Sequence, residues 1–194
     1  SSKPNDWIYG NRPDILGEIR INFTEPTLGN VNERRMILDE NLDVDLIVLT
    51  PEQVRYFIEK GFANSVMNRG YIVLYDDMGV SEMLRKHVTV EDTITHSVMS
   101  EQEYLNMIND FCFHTLWAYK KLLRGELWTA KMCIDAYLKS KLLRMIEMFV
   151  LSCDKNADVW HNGRFLENWA GEEITKKLRN CFGRYDKGDL STAL

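Results

Sequence analysis

Asp43-Val44-Asp45 runs directly into the apolar segment Leu46-Ile47-Val48-Leu49. On a strand, side chains alternate between faces, so Asp43 and Asp45 share one face while the other is apolar. Two carboxylates at a strand edge can hold Mg²⁺, a hard cation that takes oxygen ligands, or one of them can act as a general base. The same pair also fits the solvated mouth of a hairpin, with Asp43 as a turn residue, because an unpartnered carboxylate is costly to bury. Two basic clusters stand further along: Lys120, Lys121 and Arg124, then Lys139, Lys141 and Arg144. They have the composition of a phosphate clamp, in which Arg supplies paired hydrogen bonds and Lys a point charge. The helix macrodipole is a sufficient structural reason for the first cluster, since it favours cations near a helix C-terminus.

Other chemistry has little support. There is no phosphate-cradling glycine motif, no H-E-x-x-H and no G-x-S-x-G. His87, His96, His114 and His161 are scattered. Cys112, Cys133, Cys153 and Cys181 lack zinc-site spacing and are expected to be buried small hydrophobes in a reducing cytoplasm. Trp117, Trp128, Trp160 and Trp169 are expected to pack rather than to stack on a ligand. Of 194 residues 45% are hydrophobic and 27% charged, the proportions of a globular chain. A net charge of −5 excludes the global basic field that draws proteins onto nucleic acid, and the excess acid lies in residues 1–100. No apolar run approaches the length of a membrane span, and no signal peptide is expected at Ser1.

The elements that must position these residues are legible from periodicity. The polar start reads as a loop until about residue 15, and residues 16–23 alternate as a strand. Residues 35–38 and 44–49 read as a β-hairpin. Thr50-Pro51-Glu52-Gln53 carries a capping box with Pro at the first helical position, and that helix should stop at Gly61. Tyr71 to Tyr75 reads as a fully apolar strand. From Ser100 the period becomes helical: a second capping box, Ser100-x-x-Glu103, opens a helix that ends near Arg124-Gly125. Another helix spans about 126–151, followed by shorter ones near 166–170 and 172–182. The expected architecture is α+β: a mixed sheet with helices over 1–99, then a helical bundle over 100–194.

Asn109-Asp110-Phe111, the run Ala118 to Glu126 (A-Y-K-K-L-L-R-G-E) and Lys141-Leu142-Leu143-Arg144-Met145 keep one spacing over nearly forty positions. With Met36 to Glu40 and Val44-Asp45-Leu46, they resemble the aminoglycoside 6-adenylyltransferases, the streptomycin-modifying branch of the DNA polymerase β-like nucleotidyltransferases. The resemblance implies that ATP and Mg²⁺ react with a hydroxyl of a cationic aminoglycoside, in the cytoplasm, giving antibiotic resistance. Asp45 matches the third metal-holding, catalytic carboxylate. Lys120, with Arg124, matches the nucleotide-binding side of the helical domain, and Asp110 and Asp43 fall on the substrate side. The turn glycine, and the basic residue common at the place of Asp43, are missing here. The first two carboxylates of such a site come from an Asp-x-Asp strand after a Gly-Ser turn, N-terminal to the matched part; no Gly-Ser occurs in this chain. The chain alone is therefore expected to be inactive. Two further readings remain: a nucleotidyltransferase for another small molecule, such as a lincosamide, and a non-catalytic interaction protein that retains the fold.

Overall fold

A computed structural model describes residues 3–62, 64–90 and 99–194. The chain divides into two compact units, Ser1–Asp92 and Thr93–Leu194. His96 lies outside the described residues.

The first unit is built on three antiparallel strands in the order β1 (Ile19–Pro26), β2 (Asn32–Leu38) and β3 (Asp43–Ile47). All pairings among the described strands are antiparallel, where a mixed sheet was expected. Phe23 pairs with Arg35 and Arg35 with Asp45, which fixes the side chains sharing a face. The opposite face carries Met36 and Leu38, buried along with Ile8. Ile8 belongs to α1 (Pro4–Ile8), which is followed by a 3-10 turn, Arg12–Leu16. This stretch was expected to be a loop; Pro4 and Pro13 instead preset the first turns of both segments. It is tied to β2 by Arg34, 7% exposed, whose guanidinium donates to the Gly10 carbonyl at 2.5 Å and to Asn22 Oδ1 at 3.1 Å. The β2–β3 turn has no glycine: Glu40 and Asn41 take left-handed φ of 59° and 60° themselves.

Thr50 caps α2 (Pro51–Lys60) through both bonds of the expected capping box, and Gly61 ends the helix at φ 66°. After α3 (Asn64–Met67) the chain reaches Tyr71 to Tyr75, which is not a strand. Ile72 and Leu74 are 85% and 93% exposed, and no strand among the described residues pairs with them. The local pattern is right for a strand, but a strand also needs a neighbour to satisfy its backbone. Next comes α4 (Val80–His87), whose Leu84 packs with Val88 and with Ile58 of α2.

In the second unit, α5 (Glu101–Leu123) starts at the Ser100/Glu103 capping box. The following helix is α6 (Leu127–Met132), a π-helical turn (Cys133–Leu138) and α7 (Lys139–Cys153) in one run. One core joins Ala118 and Leu122 of α5 to Ala130, Cys133, Ile134 and Leu138, sealed by Leu190 of α10 (Lys187–Ala193). A second core gathers Ile146 and Val150 with Leu166 and Ala170, around α8 (Leu166–Trp169) and α9 (Glu172–Arg179). Trp117 and Trp169 pack against these cores, whereas Trp128 is 67% exposed. Of the cysteines only Cys133 is buried; Cys112 and Cys153 are exposed and Cys181 half-buried, so the expectation of four buried thiols fails. Cys133 falls on the helix stripe that packs against Ala118 and Leu122 of α5.

Candidate functional site

Asp43 and Asp45 both point to the open face of β3, in an exposed-to-half-buried alternation along the strand. The Asp45 side chain is 57% exposed and lies 3.8 Å from Arg35 Nε on the neighbouring strand. Arg35 is the hub of this face, with Glu33 Oε1 at 2.7 Å and Glu25 Oε1 at 2.8 Å from the same nitrogen. The hydrogen bond from Arg35 lowers the Glu33 carboxyl below its usual range, and Glu33 in turn raises Arg35. Arg35 is thus held mainly by Glu33 and Glu25, leaving Asp45 as the loosest carboxylate around it. Sequence reasoning missed this hub because cross-strand register, not spacing along the chain, brings its members together.

Mg²⁺ keeps several waters and takes one or two carboxylates plus substrate phosphates. Asp45, exposed and only distantly paired, suits one such ligand. No three His, Cys, Asp or Glu side chains gather into a metal site among the described residues. A cavity of about 250 Å³ opens beside β3, lined by Ile47, Leu49, Val54, Phe57 and Met67 among others; none of the described residues that line it is charged.

The remaining candidates belong to the second unit. Lys120, in the last turn of α5, is exposed and forms no ion pair among the described residues. Its neighbours do: Lys121 Nζ and Arg124 Nε lie 2.6 and 2.9 Å from the two oxygens of Glu126. Lys121 also sits over the Trp117 ring at 4.9 Å. Its hydrogen bond pulls the Glu126 carboxyl down. Of the basic cluster read from sequence, then, Lys120 alone presents an uncommitted charge.

Asp110 is the most heavily partnered candidate. His114 Nδ1 lies 2.7 Å from its Oδ1, Lys141 Nζ 2.8 Å from its Oδ2, and the Tyr137 hydroxyl donates within 2.9 Å of both oxygens. Lys141 and then Tyr137 lower the Asp110 carboxyl, while Asp110 raises both Tyr137 and Lys141. The His114 ring packs on Tyr137 with centroids 4.3 Å apart. Tyr137 rides in the π-helical turn and is 37% exposed. The usable signal was a pair of four-residue spacings, Asp110 to His114 and Tyr137 to Lys141, on two helices.

Lys139 and Arg144 stand apart from these groups. Arg144 pairs with Glu147 at 3.2 Å, and Lys139 lies over the Phe182 ring at 4.9 Å, lowered by burial. No helix among the described residues is long and apolar enough to cross a membrane.

A family model described as streptomycin adenylyltransferase matches residues 15–194. No curated protein matches the chain. The family match spans both units, and the chain belongs to this family of nucleotidyltransferases.

Proposed function

We propose that this member of the streptomycin adenylyltransferase family serves Mg²⁺-dependent transfer of AMP from ATP to a hydroxyl of a cationic aminoglycoside, with streptomycin the first candidate. The substrate oxygen bonds to the α-phosphorus, the bond to the β-phosphate oxygen breaks, pyrophosphate leaves, and the hydroxyl proton passes to a carboxylate. Asp45 carries the reading, because its exposed, loosely paired carboxylate on the open face of β3 can both hold a metal ligand position and accept a proton. Mg²⁺, when bound, neutralises triphosphate charge. Lys120 offers its unpaired ammonium to the phosphates, and Arg124 joins by exchanging Glu126 for a phosphate oxygen. Asp110 and Asp43 supply negative charge to the cationic substrate, in keeping with the net charge of −5.

Binding rather than turnover is the first readout, since Asp45 supplies a single carboxylate. Calorimetry should show tighter ATP binding with Mg²⁺ than without it. Asp45→Ala should erase that difference at unchanged melting temperature, and Lys120→Ala should weaken ATP more than streptomycin. Mg²⁺ dependence that survives Asp45→Ala removes the assignment. A second reading, an interaction protein that keeps the fold, draws on the exposed apolar run Ile72 to Tyr75 and requires Asp45→Ala to be silent.

A further inference from the structure

The carboxylate of Asp110 is committed to three partners. A carboxylate offers about four lone-pair positions. Here Oδ1 meets His114, Oδ2 meets Lys141, and the single hydroxyl proton of Tyr137 is shared between both oxygens. A guanidinium that makes two parallel hydrogen bonds needs two positions, so on arriving from solution it must replace one of these partners.

They are not equally replaceable. His114 shares a helix with Asp110, and its ring is packed among Phe113, Trp117 and Tyr137. Tyr137 is held by that ring contact and by its place in the π-helical turn. Lys141 is different: a flexible four-carbon stem, one-third exposed, whose ammonium can leave without opening a hole between rings. Its ammonium also lies 5.2 Å from the Tyr137 ring centroid. A carboxylate beside an aromatic face is a seat for an organic cation, and Lys141 occupies it.

We infer that Lys141 is an internal competitor for the substrate's cationic group: its ammonium fills the Asp110–Tyr137 seat until a guanidinium or ammonium of the ligand displaces it. The inference rests on the reading of Asp110 as a substrate contact and adds to it a residue that sets affinity and selects for strongly cationic ligands. A neutral or weakly basic molecule does not displace Lys141; a guanidinium, which can form two parallel hydrogen bonds to one carboxylate, does.

The test is calorimetric titration of the 194-residue chain with streptomycin, comparing the unaltered protein with Lys141→Gln, Lys141→Arg, Asp110→Asn and the Asp110→Asn/Lys141→Gln double variant. Lys141→Gln should tighten binding by about three- to tenfold, the range for a partly exposed charge-assisted contact. Lys141→Arg, which keeps the charge and grips the carboxylate with two bonds, should not tighten it. Asp110→Asn should weaken binding, and in that background Lys141→Gln should have no further effect. Circular dichroism melts confirm that each variant is folded. If Asp110→Asn weakens binding while Lys141→Gln leaves it unchanged or weakens it, the competition is refuted and the Asp110 contact stands. If Asp110→Asn binds as the unaltered chain does, the underlying contact is refuted instead. Absence of streptomycin binding in every variant, Lys141→Gln included, overturns both.

Discussion

Replacing Leu122 by alanine separates what holds the candidate nucleotide ligands in place from what those ligands do. Leu122 is 1% exposed and lies between Lys120 and Arg124 in sequence, turned into the core formed with Ala118, Ala130, Cys133, Ile134, Leu138 and Leu190. The substitution deletes Cγ and both Cδ atoms, worth about 0.8 kcal/mol each in lost burial, or roughly 2.4 kcal/mol together. Two of the surrounding residues are alanines with no side chain to swing into the gap, so a cavity term adds to this and the total reaches about 3 to 4 kcal/mol. Alanine's better helix propensity returns only a few tenths. Urea unfolding followed by circular dichroism should show a midpoint lower by about 1.5 to 2 M for a slope near 2 kcal/mol/M, with the slope itself unchanged. The folded variant should still bind ATP, whereas Lys120→Ala should do the reverse and lose ATP affinity at unchanged stability. A Leu122→Ala cost below about 1 kcal/mol would mean that α5 and the α6–α7 run do not share this core.

Two other outcomes follow from the same physics. The Asp76 carboxylate accepts backbone N–H bonds from Ser81, Val80 and Met78, which hold it well below the usual carboxylate range. A depressed carboxyl stabilises the folded form above its unfolded value near 4 and loses that contribution as pH falls through its folded value. The protection of amides at the start of α4, taken relative to their intrinsic exchange rate at each pH, should therefore fall progressively below about pH 4, and Asp76→Asn should flatten this dependence. In thiol labelling of the folded chain, Cys112 and Cys153 should react first, while Cys133, buried and with its thiol pushed up by desolvation, should wait for unfolding. Mass spectrometry of the labelled peptides reads the order directly.

Local rules were legible in the sequence wherever the partners are close along the chain. Thr50 with Gln53 and Ser100 with Glu103 form both halves of their capping boxes as read, and Gly61 ends α2 where its freedom to adopt positive φ is needed. The α4 helix was missed because its start is stabilised at a distance: Asp76 reaches over Gly79 to the first helical amides rather than sitting at the cap itself. The short α10 was missed for a different reason: Asp186 caps it by an ordinary N-cap bond, but one buried residue, Leu190, gives too little periodicity to read. Tyr71 to Tyr75 failed in the opposite sense, since β propensity is a local property and pairing is not. At the candidate site, residue types pointed to Asp45 and to the cluster of Lys120, Lys121 and Arg124, and the family resemblance alone pointed to Asp110. Only the folded arrangement separates Lys120, which is uncommitted, from Lys121 and Arg124, which share Glu126.

The π-helical turn between Cys133 and Leu138 also has a bearing on how this chain tolerates change in its length. A π turn is in effect a single inserted residue carried within an α-helix, and each residue turns the helix by about 100°. The wider turn absorbs that residue, so the helix leaves it in nearly the phase it would have with one residue fewer. Ala130 before it packs on α5, and Lys141 after it reaches Asp110 of the same helix. Deleting one residue within 133–138 therefore restores an uninterrupted α-helix with both flanks still directed at α5, and the cost falls on the turn itself, which carries Tyr137 and the buried Cys133, Ile134 and Leu138. A one-residue deletion at this turn is a milder edit than the same deletion elsewhere in α6 or α7, where it would rotate everything beyond it by about 100°.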